Sequence, residues 1–438
     1  MSTGIIQDQA TGIPVRTLKL LVLEGPDSGR EIIADSETLS VGTAPGNDLV
    51  LQDTTVSRYH LELSQRHDGV LVVDHGSTNG TYVGPVRIQI ALVRAGTALR
   101  VGRSTVQVLD GSTRTISLYA GEAMAGLVGS TPVMRRLMAR IEQAARSESA
   151  VLVVGESGTG KELVARALHD LGPRARGPFV TVDCGALAPT LVASEIFGHE
   201  RGAFTGADRQ HIGAFEQANG GTLFLDEIGE LPAQLQSTLL GVLERRRFRR
   251  LGGKAPISVD VRIVSATNRD LRAEVNAGGF RLDLYYRLAV VVFQVPPLRE
   301  RVDDIPLLVE HFLRDCGFAG SAETLIPPDA LRSLSSHHWP GNVRELRNLV
   351  EATLAMGEAP KLESELEGAE TTASGQDVIG ALLARPYRDA RSRLLFEFES
   401  RYLRHILDRA GGNVSRAARE ARLDRSHLRT LLKRHGLL

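Results

Sequence analysis

The stretch VLVVGESGTGKELVARALH, residues 151–169, leaves the chain few choices of fold. Val151 to Val154 is an apolar run of strand length, Gly155 to Lys161 follows the spacing Gly-x-x-x-x-Gly-Lys, and Leu163, Val164, Ala167 and Leu168 recur at helical spacing. Strand, glycine turn and helix in that order form the context of a phosphate-binding loop. Gly155, Gly158 and Gly160 let backbone N–H groups close around a polyphosphate, with Glu156, Ser157 and Thr159 completing the turn. The helix N-terminus adds partial positive charge and Lys161 a full one. Glu162 stands where Ser or Thr would offer a hydroxyl to Mg²⁺, so another carboxylate must serve the metal. A glycine turn without a ligand is the plainer reading of this stretch alone.

The partner motifs weigh against that plainer reading. TLFLDEI, residues 222–228, is a buried-strand pattern that ends in Asp226 and Glu227. Asp226 is suited to hold Mg²⁺ and Glu227 to polarise a water that attacks the γ-phosphate of ATP. VRIVSATN places Asn268 at the end of a further strand. Between 127 and 294 strands alternate with helices such as MRRLMARIEQAA and AQLQSTLLGVLERR, the pattern of a parallel sheet covered on both faces.

Length and charge set the outer bounds. The 438 residues predict two to four domains, and 52 basic against 52 acidic residues give no global field for nucleic acid. Cys184 and Cys316 are too few for a disulfide framework and suit a reducing compartment. No apolar run approaches the roughly 20 residues of a membrane span, and no signal-peptide pattern opens the chain, so a cytoplasmic protein with no membrane partner is expected.

Residues 1–16 are polar and unpatterned and read as unstructured. From Leu18 to about 110, short strands (LKLLVLE, REIIA, TLSVG, DLVL, YHLELSQ, GVLVVDH, TYV, ALRVG, TVQVL) alternate with turns such as GPDSG, APGND and STNG, an all-β sandwich pattern. The runs VGTAPGNDLVLQDTTVSRYHLEL and DHGSTNGTYV resemble a forkhead-associated (FHA) domain, a reader of phosphothreonine peptides. The resemblance implies that Ser57 and Arg58 contact phosphate, His60 braces their loop and Asn79 holds the peptide backbone. It thereby implies a phosphothreonine protein or a Ser/Thr kinase as partner. Gly42-Thr43 stands where that family has Gly-Arg, which removes one charge-assisted contact of about 1.5–3 kcal/mol. A sandwich used for packing, or for an unphosphorylated partner, therefore stays open. Residues 111–125 show no clear element and read as a linker.

Residues 127–355 resemble the AAA+ domain of the bacterial enhancer-binding proteins that activate sigma-54 RNA polymerase. The resemblance rests on GESGTGKE, LFLDE, LYYRL, WPGNVREL and above all EIFGHERGAFTGA. Taken alone, Gly202, Ala203, Phe204, Thr205, Gly206 and Ala207 make a poor strand and a poor helix, with one aromatic at the tip. By resemblance this segment contacts sigma-54, and Phe204 and Thr205 make the contact. The resemblance also implies that Asn268 senses the γ-phosphate and that Arg281 or Arg287 reaches into a neighbour's site. Arg344 would point at nucleotide from a helical lid at about 297–355, in a homo-oligomer that passes from dimer to hexamer. Asp183 stands where many members carry an Asn that couples ligand state to Glu227. A surface-helix role for Arg281 and Arg287 is the alternative from sequence alone.

Residues 356–376 hold five Glu against one Lys and read as an acidic spacer, whereas residues 389–438 hold 12 Arg plus Lys against 6 Asp plus Glu. Two short helices across the turn at Leu423-Asp424 predict a helix-turn-helix, with Arg425, Ser426, His427, Arg429, Thr430 and Lys433 facing double-stranded DNA. The segment resembles a Fis-type domain that holds enhancer DNA. The expected fold is therefore an all-β FHA sandwich, an α/β AAA+ ATPase with a helical lid, and an all-α Fis-type helix-turn-helix. An AAA+ remodeller of another class, or a DNA-binding repressor with a structural ATP site, are the competing readings.

Overall fold

The structure is a computed structural model. It describes residues 12–356, apart from 35–37, 67, 186–187, 319 and 321–333, and in the C-terminal unit only Leu403, Ile406, Val414, Arg416 and Leu432. The residues expected to face DNA, Arg425, Ser426, His427, Arg429, Thr430 and Lys433, and most of the acidic spacer, lie outside the described residues.

The first eleven strands form two facing sheets. One holds β2 (Glu31–Ile33), β1 (Gly12–Glu24), β11 (Ser104–Ser117), β10 (Ala98–Val101), β7 (Thr81–Val83) and β8 (Val86–Ile88), in that order. The other runs β4 (Leu49–Val50), β3 (Thr38–Gly42), β5 (Leu61–Arg66), β6 (Gly69–Asp74), β9 (Ile90–Val93). Alternate residues turn inward: Leu18, Leu20 and Val22 from β1, Leu61 and Leu63 from β5, Val70 and Val72 from β6, and Val106 and Val108 from β11 make a closed apolar core.

The sheet departs from the sequence reading in two places. Strands β1 and β11 pair from Gly12 with Ser117 onward, so part of the segment read as unstructured and part of the one read as linker form one antiparallel arm. Gly12–Arg16 is a short run interrupted by Pro14, and Thr113–Ser117 is mostly polar and exposed, so the arm carries little periodic signal; its pairing is a long-range contact. Strands β8 and β9 were not expected either. Val86 and Ile90 on them are exposed, which breaks the inward alternation that marks the other strands.

A short hairpin, β12 (Ala123–Met124) with β13 (Leu127–Val128), leads into the ATPase. Its sheet is fully parallel, in the order β15 (Phe179–Asp183), β16 (Thr222–Asp226), β19 (Arg262–Thr267), β14 (Val151–Val154), β20 (Val291–Gln294). Strands β16 and β19 are buried almost end to end, as helices on both faces require. The helices are α1 (Pro132–Ala145), α2 (Lys161–Asp170), α3 (Pro189–Phe197), α4 (Ala214–Gln217), α5 (Ala233–Arg245), α6 (Leu271–Ala277), α7 (Leu282–Leu288) and α8 (Ile305–Asp315), followed by a lid helix, Asn342–Met356. Buried Arg262 donates to the carbonyls of Ala144, Ala145 and Leu168, so one guanidinium caps the C-terminal ends of α1 and α2. Among the described residues no helix is long and apolar enough to cross a membrane.

Candidate functional site

Strand β14 delivers the glycine loop to the sheet's C-terminal edge, where Gly158 and Gly160 both adopt positive φ, 76° and 102°. Only glycine takes that conformation without strain, and Gly158 has a second reason. A Cβ there would lie 2.2 Å from the Gly341 carbonyl oxygen. The loop is thus pressed against the start of the lid helix: the N–H groups of Val343 and Arg344 both donate to the Gly158 carbonyl. Arg344 also donates to the Ser157 hydroxyl at 3.1 Å, which brings the expected nucleotide-facing arginine to the loop.

Glu156 joins the loop to the lid more firmly than its place in the motif suggests. It takes both arms of the Arg299 guanidinium and the Asn342 amide. The Arg299 hydrogen bond holds its carboxyl below the usual range. Arg301, buried, donates to the Thr159 carbonyl at 3.0 Å. Neither Arg299 nor Arg301 was expected, because both belong to the lid segment and nothing in their spacing points back to the loop.

Lys161 is nearly buried and donates to the carbonyls of Gly155 and Glu156, its Nζ 3.6 Å from the Glu227 carboxylate. Glu162, next on α2, is exposed. Strands β15 and β16 end in register, so Asp183 and Asp226 stand side by side. Asp183 accepts from the Gly185 N–H. Glu227 follows Asp226 with φ 48° and ψ 46°, a left-handed backbone uncommon outside glycine. That turn aims its carboxylate back toward Lys161, and its other oxygen accepts from the Asn268 N–H at 3.3 Å. Buried Cys184, between Asp183 and Gly185, has its thiol pushed up to about 12 by burial, which makes it inert packing. The fold therefore gathers Lys161, Asp183, Asp226, Glu227 and Asn268 around the loop mouth. Among the described residues no group of three His, Cys, Asp or Glu could hold a metal ion unaided. A nucleotide-bound Mg²⁺ asks for only one or two carboxylates, because phosphate oxygens and water complete its shell, and Asp226 at the strand end fits that demand.

Arg281 and Arg287 stand outside that cluster at the two ends of α7, both exposed. Arg281 is held by Asp283 through two hydrogen bonds. The segment Gly202–Ala207 is a compact turn: the Gly202 N–H donates to Ala207, the Ala207 N–H donates to Phe204, and Gly202 and Gly206 have positive φ. Thr205 is exposed and Phe204 half-buried, its ring edge-on to His199 at 4.9 Å. Below the turn, Arg250 bridges Glu200 and Glu216, and His199 pairs with His211 and Leu251.

In the sandwich, the loops that carry Ser57, Arg58, His60 and Asn79 are tied together at one end. His60 accepts from the Ser57 N–H on Nδ1, so its proton sits on Nε2 and points to the Gly80 carbonyl. Burial holds its pKa below 6.5. The Ser57 hydroxyl accepts from the Thr78 N–H, and the Asn79 amide donates to the Thr55 carbonyl. Asp53 anchors the same loops on Thr55, Arg103 and Ser104, and these hydrogen bonds overcome its burial to bring its carboxyl down to about 2. Gly42 passes so close under Arg58 that a Cβ would meet its carbonyl oxygen at 2.1 Å. Thr43 is half-buried, its N–H bonded to the Ser57 carbonyl.

Residues 127–294 match the sigma-54 interaction domain, 299–375 an AAA+ ATPase lid domain, and 395–435 a Fis-family bacterial regulatory protein. Residues 21–110 match the cytoplasmic domain of an inner-membrane component of the type III secretion system. The chain is 44% identical over 339 residues to the DNA-binding transcriptional regulator NtrC of Azospirillum brasilense, covering 72% of this chain and 70% of that one. It is 51% identical over 267 residues to the Nif-specific regulatory protein of Azotobacter vinelandii, and spans 51% of that protein's length. NtrX from Brucella abortus, solved in complex with ATP, superposes with a TM-score of 0.50 at 39% identity, over 72% of this chain and 70% of that one.

Proposed function

Because the chain belongs to the sigma-54-dependent transcriptional activators, AAA+ ATPases with a Fis-type DNA-binding end, we propose that it spends ATP hydrolysis on remodelling promoter complexes of sigma-54 RNA polymerase. The observation that carries this reading is one body holding both parts: the Lys161–Glu227 pair at the glycine loop and the Phe204 turn.

The chemistry follows from the residues in place. Backbone N–H groups of Gly158 to Lys161 and the Lys161 ammonium take the phosphate charge, as the NtrX complex with ATP supports. Asp226 holds Mg²⁺, which when bound neutralises charge on the β- and γ-phosphates. Glu227 orients and polarises the attacking water, held in place by its left-handed turn and the Asn268 N–H. Asp183, in register with Asp226, is placed to relay the state of the site. Arg281 and Arg287, exposed on α7, serve a neighbouring subunit's nucleotide in a ring, where Arg281 must first leave Asp283. Phe204 and Thr205 make the sigma-54 contact, and the C-terminal segment with Arg425, Ser426, His427, Arg429, Thr430 and Lys433 holds enhancer DNA. The sandwich reads a phosphothreonine segment through Ser57, Arg58 and Asn79, and the whole acts in the cytoplasm, where the polymerase works.

Sigma-54-dependent transcription from a closed complex, with Phe204→Ala beside the wild type, tests this reading. Loss of transcription with ATPase activity intact is expected. A Phe204→Ala chain that activates as well as wild type would sink the assignment of the turn.

A further inference from the structure

The recognition end of the sandwich meets the ATPase in this chain, and the manner of the meeting is specific. Asn276, on α6, presents its side-chain amide as a peptide group would. Its Nδ2 donates to the carbonyls of Tyr59 at 2.6 Å and His75 at 2.9 Å, while its Oδ1 accepts from the Tyr59 N–H at 3.3 Å. One amide thus satisfies outward backbone groups on both recognition loops. Beside it, Arg58 donates to the Val275 carbonyl at 3.2 Å. Asp270 meets His75 at 2.6 Å, Arg272 pairs with Glu62, and the Tyr286 hydroxyl accepts from the Gly46 N–H. Tyr59, 1% exposed, is the large apolar anchor, packed edge-on against Tyr285 at 5.2 Å, with buried Ala44 in the same cluster.

The geometry points to α6 and α7 as an internal occupant of the sandwich's recognition end, bound in competition with a phosphothreonine segment. This rests on the phosphothreonine reading above. Two features carry it. Asn276 holds the N–H and carbonyl of Tyr59, next in the chain to Ser57 and Arg58, and so occupies the backbone beside the proposed phosphate contacts. Arg58 is engaged by a single neutral carbonyl, a weaker partner than a dianionic phosphate that can take a charge-assisted, two-pronged contact. The rest of the interface is mostly polar, as separable domain contacts are. A phosphothreonine segment therefore enters only as α6 leaves.

The test uses the full chain against an array of phosphothreonine peptides with degenerate flanks, for wild type, Asn276→Ala and Glu62→Ala. Both variants lie away from the phosphate-contacting residues and cut the docking from opposite sides. If docking occupies the end about nine-tenths of the time, apparent affinity for the best peptide rises about tenfold in both variants. In the wild type, that peptide should also raise backbone hydrogen exchange across 271–288. Equal affinity in all three chains overturns the competition and leaves phosphothreonine reading standing. No phosphopeptide bound by any of the three overturns both.

Discussion

The glycine loop of the ATPase and the loop end of the sandwich are the two places proposed to meet phosphate, yet they are finished differently. The glycine loop gets its geometry from one contiguous segment: β14, two glycines with positive φ and α2 are all within 151–170, and the lid closes over them. The sandwich end is tied internally by His60, Asp53 and Asn79, but its outward groups are met by α6, more than 200 residues further on. One site is shaped by its own segment and braced by the lid next to it. The other is shaped by its own sequence and is already held by the rest of the protein.

The contrast can be broken, and the largest effect belongs to the self-contained site. Glu227→Gln should lower steady-state ATPase by roughly 10²–10⁴-fold while leaving nucleotide binding near wild type, read by turnover and by titration with a fluorescent nucleotide. An unchanged rate would remove Glu227 from the chemistry. At the sandwich end, Tyr59→Ala deletes a fully buried ring from a core shared by both domains. It should cost about 3–5 kcal/mol and split one calorimetric transition into two, because the domains lose their common anchor. Gly158→Ala puts a methyl against the Gly341 carbonyl and forces an unfavourable φ; a penalty of about 1–3 kcal/mol should appear as a roughly 5- to 150-fold rise in KM for ATP.

Acid should sharpen the difference. Burial holds His60 below 6.5, so the unfolded chain takes up a proton before the folded one. The contribution of the neutral ring is complete above about pH 6.5 and is lost as pH falls toward the folded value, at up to about 1.4 kcal/mol per unit. Between about pH 7.5 and about 5.5 the wild-type sandwich transition should fall by several degrees more than that of His60→Gln. Glu156→Gln gives the smallest effect. Its pair with Arg299 is nearly half exposed, so about 0.5–1 kcal/mol is at stake, visible as a modest weakening of nucleotide binding.

How much of this could be read beforehand follows the same division. The parallel sheet, the glycine loop, Asp226 and Glu227 were legible because each motif is local and its neighbours in space are apolar runs that announce themselves. The sandwich was legible in its inward alternation, and lost where that alternation fails: at β8 and β9, and in the arm that pairs Gly12–Arg16 with Thr113–Ser117. The ties of Glu156 to Arg299 and Asn342, and those of Asn276 to Tyr59 and His75, left no trace in the sequence. They join single polar residues across 143 to 217 positions, with no period and no motif to mark them.

The stem beneath the Phe204 turn has a mechanical consequence. Arg250 gripping Glu200 and Glu216, with His199 bridged to His211 and Leu251, makes the base of the turn stiff in every direction the ion pairs span. Compliance is left to Gly202 and Gly206 at the tip. A stiff base with glycines above it passes a displacement of the stem on to Phe204 with little loss and leaves the tip free to yield.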